Sequence, residues 1–201
     1  DGLKLQSSVC QAPDPVWTLP REIWKGSGPL VLVWRADLLL DLNKLRIILS
    51  ALEEFVQLID IPIHWLVFDR KNDANILTSL YNRSLISSYI YSRSKIILAN
   101  SRSKAMAEFV SARLVIPMRL HALILSQLSG SPAVALSNQL KVSIEASRIA
   151  MECIDINNLP CSNYICKLWK NRLDKPNRKI DVERIRSQAM IHISELAKYF
   201  D

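Results

Sequence analysis

"RLVIPMRLHALILSQLSGSPAVAL", residues 113–136, decides how this chain folds. Two short apolar runs, "RLVIP" at 113–117 and "PAVAL" at 132–136, flank a segment too long and too evenly greasy to be a turn. The runs read as buried strands and 119–129 as a helix, closed by Gly130, a residue that tolerates the left-handed backbone on which helices end. Strand, helix and strand in so short a span indicate a crossover between parallel strands.

Working outward, the same alternation recurs on both sides. "LVLVW" (30–34) is a short unbroken apolar run that stops at Arg35, as buried parallel strands do. A helix follows, with Leu42, Leu45, Leu49, Leu52, Val56 and Ile59 at steps of three and four and Asp41 placed to cap it. "IHWLVF" (63–68) reads as a strand, 73–82 as a helix, "SYIY" (88–91) as a weak strand and 100–110 as a helix. Downstream, 139–150 reads as a helix and "MECIDI" (151–156) as a last strand, and Val182, Ile185, Ala189, Ile193, Leu196 and Phe200 line one amphipathic helix. Five or six buried strands alternating with helices predict an α/β fold, a doubly wound, Rossmann-like parallel sheet.

The remainder of the sequence narrows the function classes. Four prolines and Gly26-Ser27-Gly28 make 11–29 a linker rather than a regular element. No window approaches the apolar length that crosses a bilayer, and the N-terminus lacks a signal-peptide pattern. Cys10, Cys153, Cys161 and Cys166 have no spacing suited to zinc, so they read as reduced thiols and no metal is expected. With 4 glycines in 201 residues there is no GxGxxG and no phosphate-binding Walker loop, and GxSxG and HExxH are absent too. The net charge of +7 favours an anionic partner. Much of it lies in "CKLWKNRLDKPNRK" (166–179), which reads as a solvated helix face and loop, with docking to an anionic membrane or to nucleic acid as the other readings.

In doubly wound sheets ligands bind beyond the carboxyl ends of the strands. Arg35 stands there after "LVLVW", Arg119 and His121 stand there after "RLVIP", and Lys141 opens the helix after "PAVAL". The helix end adds unsatisfied N–H groups and about half a positive charge. A charge-assisted bond to an anion contributes about 1.5–3 kcal/mol against about 0–1 for a surface ion pair, so a ligand anion is the expected partner of these cations. His121 is the group among them that can give or take a proton near neutrality. His64, inside a strand, reads as a satisfied structural histidine and His192 as plain surface, while Asp69 and Asp73 in "FDRKND" read as a turn and a helix cap or as a partner for a hydroxyl or ribose.

The stretch "MRLHALILSQLSGSPAVALSNQLKV" (118–142) resembles the signature of the polysaccharide pyruvyl transferases: Arg-Leu-His, a small-residue apolar helix, Gly-x-Pro, a short strand, then Tyr-Asp-Pro-Lys. "APDPVWTLP" (12–20) and the strand ending in Arg35 are similar to the middle region of that family. Asn138, Gln139 and Leu140 stand where the family has Tyr-Asp-Pro. The resemblance implies the C-terminal half of a two-domain, glycosyltransferase-B-like enzyme of bacterial exopolysaccharide or cell-wall biosynthesis. It implies transfer of pyruvate from phosphoenolpyruvate to a sugar of a cell-surface polysaccharide, or of its lipid-linked precursor, as a ketal. By position, Arg35, Arg119, Leu120 and Lys141 would bind substrate, with His121 and Lys141 catalytic and phosphoenolpyruvate as donor in place of any cofactor. Residues 1–28 would then be the remnant of an N-terminal domain and linker, and 29–201 the donor-binding domain. Such a piece by itself is expected to bind donor without turning it over. The implied location is cytoplasmic, at the inner membrane face, with 166–179 as the membrane contact and no nucleic acid. A nucleotide-sugar glycosyltransferase and a non-catalytic anion-binding module are the alternatives.

Overall fold

The computed structural model describes residues 12–177 and 182–197. Cys10, Arg178, Lys179 and Phe200, which figured in the expectations above, lie outside the described residues. By contact density the chain divides into two units, Asp1–Pro20 with Lys179–Asp201, and Arg21–Arg178.

The larger unit holds six strands: β1 Leu30–Val33, β2 Ile63–Val67, β3 Ser94–Leu98, β4 Leu114–Pro117, β5 Ala135–Ser137 and β6 Cys153–Asp155. Its helices are α1 Leu42–Ile59, α2 Arg70–Asp73, α3 Ile76–Asn82, α4 Ser88–Arg93, α5 Arg102–Ser111, α6 Leu120–Leu128, α7 Leu140–Arg148 and α8 Ser162–Arg172. The first four strands form one sheet in the order β3-β2-β1-β4, every pair parallel. β5 and β6 form a parallel pair that the bridge Val115↔Ala133 attaches to β4. The resulting order, 3-2-1-4-5-6, is the doubly wound arrangement expected from the sequence, and its direction of winding reverses between β1 and β4.

The strands are apolar on both sides because both sides are covered. Leu30, Leu32, Ile63, Trp65, Leu114 and Ile116 pack with α1, α3 and α8 in one core, while the alternate residues Val31, Val33 and Val115 are equally buried. Trp34 meets Trp65 edge to face at 5.3 Å. α6 is buried from Ala122 to Leu128, which matches its lack of a polar face. Gly130 takes the left-handed conformation expected of it, with φ of +72°. Asp41 caps α1 by accepting the Lys44 N–H.

The structure corrects three local expectations. Residues 88–91 belong to α4, not to a strand: Ser87 accepts the Ile90 N–H and starts a helix, and the strand begins at Ser94. The last amphipathic pattern, in the smaller unit, is two helices, α9 Val182–Ala189 and α10 Ile191–Ala197, divided at Met190. His192 is half-buried rather than plain surface, with Nε2 2.7 Å from the Pro13 carbonyl oxygen. Among the described residues no helix is long and apolar enough to cross a membrane.

Candidate functional site

Three strands end around one pocket. Arg35 ends the extended stretch after β1 and starts a 3₁₀ turn, Ala36–Leu40; Asp69 follows β2 and caps α2; Arg119 follows β4 and holds the N-cap position of α6. The pocket is about 300 Å³, near the lower limit for small-molecule sites, and is lined by Arg35, Ala36, Asp37, Asp69, Asn72, Asp73 and Arg119. It lies beyond the carboxyl ends of β1 and β4, where the winding reverses, which is where open α/β sheets bind ligands.

Both arginines already meet carboxylates. Arg35 Nη2 lies 2.7 Å from Asp37 Oδ2. Arg119 donates from Nε to Asp73 Oδ2 at 2.9 Å, and its Nη2 meets the same oxygen still more closely. Asp69 Oδ2 is farther off, 3.7 Å from Arg119 Nη2. These partners differ in burial: the Asp73 side chain is 3% exposed, whereas those of Asp37 and Asp69 are each 35% exposed. Hydrogen bonds from Asn72 hold the Asp69 carboxyl below its ordinary value, the Arg119 charge adding to them, so at neutral pH Asp69 is ionised. Oδ1 of Asp37 is buried and has no partner among the described residues, which leaves an acceptor unsatisfied at the pocket wall.

Donors remain for a ligand. Among the described residues, no hydrogen bond engages Arg119 Nη1, and Arg35 is held only through Nη2. α6 opens with no side-chain cap, since an arginine occupies the capping position, so its first N–H groups keep their demand for an acceptor.

The structure therefore brings Arg35 and Arg119 together and leaves the other expected residues outside the pocket lining. His121 is exposed on the first turn of α6, Leu120 is half-buried beside it, and Lys141 is exposed at the start of α7 beyond β5. The sequence reading missed Asp37 and gave Asp73 only a turn, a cap or a hydroxyl partner. Asp37 had a signal in "WRAD", an acid two residues past an arginine, whereas the partnership of Asp73 spans 46 residues of chain and had none. His64 is paired as expected, its Nδ1 2.7 Å from Glu108 Oε2. Cys153, Cys161 and Cys166 are free thiols, and burial pushes Cys166 up to about 11, so it is not a nucleophile at neutral pH.

Comparison with known proteins adds the family. The model of the polysaccharide pyruvyl transferase family matches residues 2–139, a span that contains all seven residues lining the pocket. No curated protein matches the chain. Among solved structures, a mutant of the O-GlcNAc transferase of Thermobaculum terrenum is similar at 9% sequence identity and a TM-score of 0.48, over 92% of this chain and 35% of that one. The chain thus spans about a third of that structure's length.

Proposed function

This chain belongs to the polysaccharide pyruvyl transferase family, and on that footing we propose that its pocket binds phosphoenolpyruvate as the donor for pyruvyl transfer to a polysaccharide sugar. The observation that carries the reading is the convergence of Arg35 and Arg119, from the two strands at the reversal of the sheet, on one pocket of about 300 Å³. Phosphoenolpyruvate is a small molecule with two anionic ends, a phosphate and a carboxylate. Two arginines with spare donors, beside an uncapped helix N-terminus, offer one seat for each.

In the reaction, the donor methylene gains a proton and becomes a methyl group, its C2 becomes electrophilic, two sugar hydroxyls bond to C2, and phosphate leaves with the C2–O bond. The hydroxyls release two protons, one matching that gained by the methyl group and one carried by the phosphate. Arg35 and Arg119 hold the two anionic groups of the donor throughout the reaction. His121, exposed on the first turn of α6 two residues from Arg119, supplies the titratable group that moves a proton between hydroxyl and methylene. Lys141 approaches from α7 to meet phosphate or sugar. On this reading the chain is the donor-binding part of a glycosyltransferase-B-like enzyme that works at the cytoplasmic face of a membrane, with exposed Lys167 and Lys170 of α8 directed to anionic headgroups.

Turnover in the complete enzyme tests this. With phosphoenolpyruvate and an acceptor polysaccharide, the wild type is expected to release phosphate and to form a ketal methyl group visible by NMR. Arg119→Ala is expected to lose activity through donor affinity, and His121→Ala mainly through kcat. Wild-type kinetics in Arg119→Ala would remove the pocket from the mechanism.

A further inference from the structure

The reaction above gives no use to the three carboxylates of the pocket, and Asp73 is the most buried of them. Only 2% of the residue is exposed, a rare state for an aspartate unless its charge is met. It is met on both oxygens. Oδ1 accepts the backbone N–H of Ala36 at 3.0 Å, and Oδ2 accepts Nε and Nη2 of Arg119. Ala36 is the residue after Arg35 at the end of β1, Asp73 closes α2 behind β2, and Arg119 follows β4. One carboxylate therefore ties together the ends of three neighbouring parallel strands, and two of those ends carry the arginines of the pocket.

We propose that Asp73 is a positioning residue that fixes the spacing and orientation of the Arg35 and Arg119 guanidiniums for the two anionic groups of the donor. The assignment rests on the reading of this pocket as the donor site. The geometry favours Asp73 over the other acids for this role. Asp69 is a half-buried cap of α2 that reaches Arg119 only at 3.7 Å, and Asp37 touches Arg35 through a single oxygen. Asp73 instead grips the edge of Arg119 formed by Nε and Nη2, which sets the plane of the guanidinium and leaves Nη1 for ligand. A long, flexible side chain is thereby held in one orientation before the donor arrives, which removes an ordering cost from binding. A buried acid would otherwise weaken an anion site. Here its charge is consumed by Arg119, and its second oxygen holds the main chain that carries Arg35.

The test compares wild type, Asp73→Asn, Arg119→Ala and the double variant in the complete protein, with thermal unfolding followed throughout. Asparagine keeps the volume and an acceptor for the Ala36 N–H but loses the charge. Two readouts are taken. The first is the Arg119 Nε–H resonance in ¹⁵N NMR, identified by its disappearance in Arg119→Lys. It is expected to be resolved and slow to exchange in the wild type and lost in Asp73→Asn; a protected resonance in Asp73→Asn overturns the proposal with no donor present. The second is the steady-state split. Asp73→Asn is expected to raise KM for phosphoenolpyruvate roughly 10- to 100-fold with kcat nearly unchanged, and to add nothing in the Arg119→Ala background, since both changes remove the same held guanidinium. An unchanged KM, or a full additional loss in the double variant, overturns it. Should Asp73→Asn not fold, Asp73→Glu keeps the charge but displaces it by one methylene; weakened donor binding is expected, and full affinity counts against the proposal. A wild type that neither binds nor consumes phosphoenolpyruvate, with the Nε–H resonance still lost in Asp73→Asn, removes the donor reading and leaves Asp73 as the residue that positions the arginine.

Discussion

Asp37 and Asp73 both contact the arginines of the pocket, and their surroundings give them opposite consequences. Asp73 is buried and satisfied, so its charge belongs to the scaffold. Asp37 is a third exposed, touches Arg35 at 2.7 Å and keeps a buried oxygen without a partner among the described residues. On the proposed function, the donor anion that approaches Arg35 competes with Asp37. Replacement of Asp37 by asparagine removes that competition together with an unsatisfied carboxylate oxygen, so donor affinity is expected to rise, by up to about fivefold, the scale of a half-exposed ion pair. Calorimetric titration checks the sign: weaker binding in Asp37→Asn would make Asp37 part of the site and not a rival for it. The sequence made the arginines legible because each directly follows a run of buried strand residues. It could not reveal which acids would meet them, because Asp73 and Arg119 are 46 residues apart and only the packing of β1 between β2 and β4 brings them together.

The elements follow the sequence where burial is on both sides and depart from it where burial is partial. β1 and β4 are buried at every position, and their unbroken apolar runs could be read directly. α4 could not, because tyrosine and isoleucine alternating over "SYIY" imitate a half-buried strand, and the deciding signal is the Ser87 hydroxyl that accepts the Ile90 N–H. α8 illustrates an element held by tertiary packing. Its basic face is solvated, but Ile165, Cys166 and Trp169 are buried, and Trp169 meets Phe55 of α1 edge to face at 5.9 Å. The Trp169 Nε1–H is buried without an acceptor among the described residues. Trp169→Ala is therefore expected to cost about 3–5 kcal/mol in denaturant unfolding. Trp169→Phe should cost far less, since it keeps the ring contact with Phe55 and removes an unsatisfied donor. Equal losses in the two variants would show that the ring contact with Phe55 contributes nothing to the packing of α8 on α1.

At the scale of the molecule, the order 3-2-1-4-5-6 does two things at once. It buries the central strands from both sides, and it opens a crevice between β1 and β4, where two arginines from distant sequence positions converge. The response to acid belongs to this scale too. Asp41, Asp60 and Asp69 are all held below their ordinary value of 3.8: Asp41 chiefly by the Lys44 N–H it caps, Asp60 by Arg93, and Asp69 by Asn72. A carboxylate held below its unfolded value stabilises the fold above that unfolded value, and the contribution is lost as pH falls through the folded value. The urea midpoint is expected to be insensitive to these three groups above about pH 5 and to fall progressively below about pH 4. A midpoint that rises on acidification would contradict those assignments.

The proposal that the pocket binds phosphoenolpyruvate is tested most directly by isothermal titration of phosphoenolpyruvate into the complete protein and into its Arg35→Ala and Arg119→Ala variants. Saturable binding to the wild type at one site, weakened at least tenfold by either substitution, is the result expected. Binding that survives both substitutions unchanged, or a wild type that responds to a nucleotide sugar and not to phosphoenolpyruvate, would contradict it.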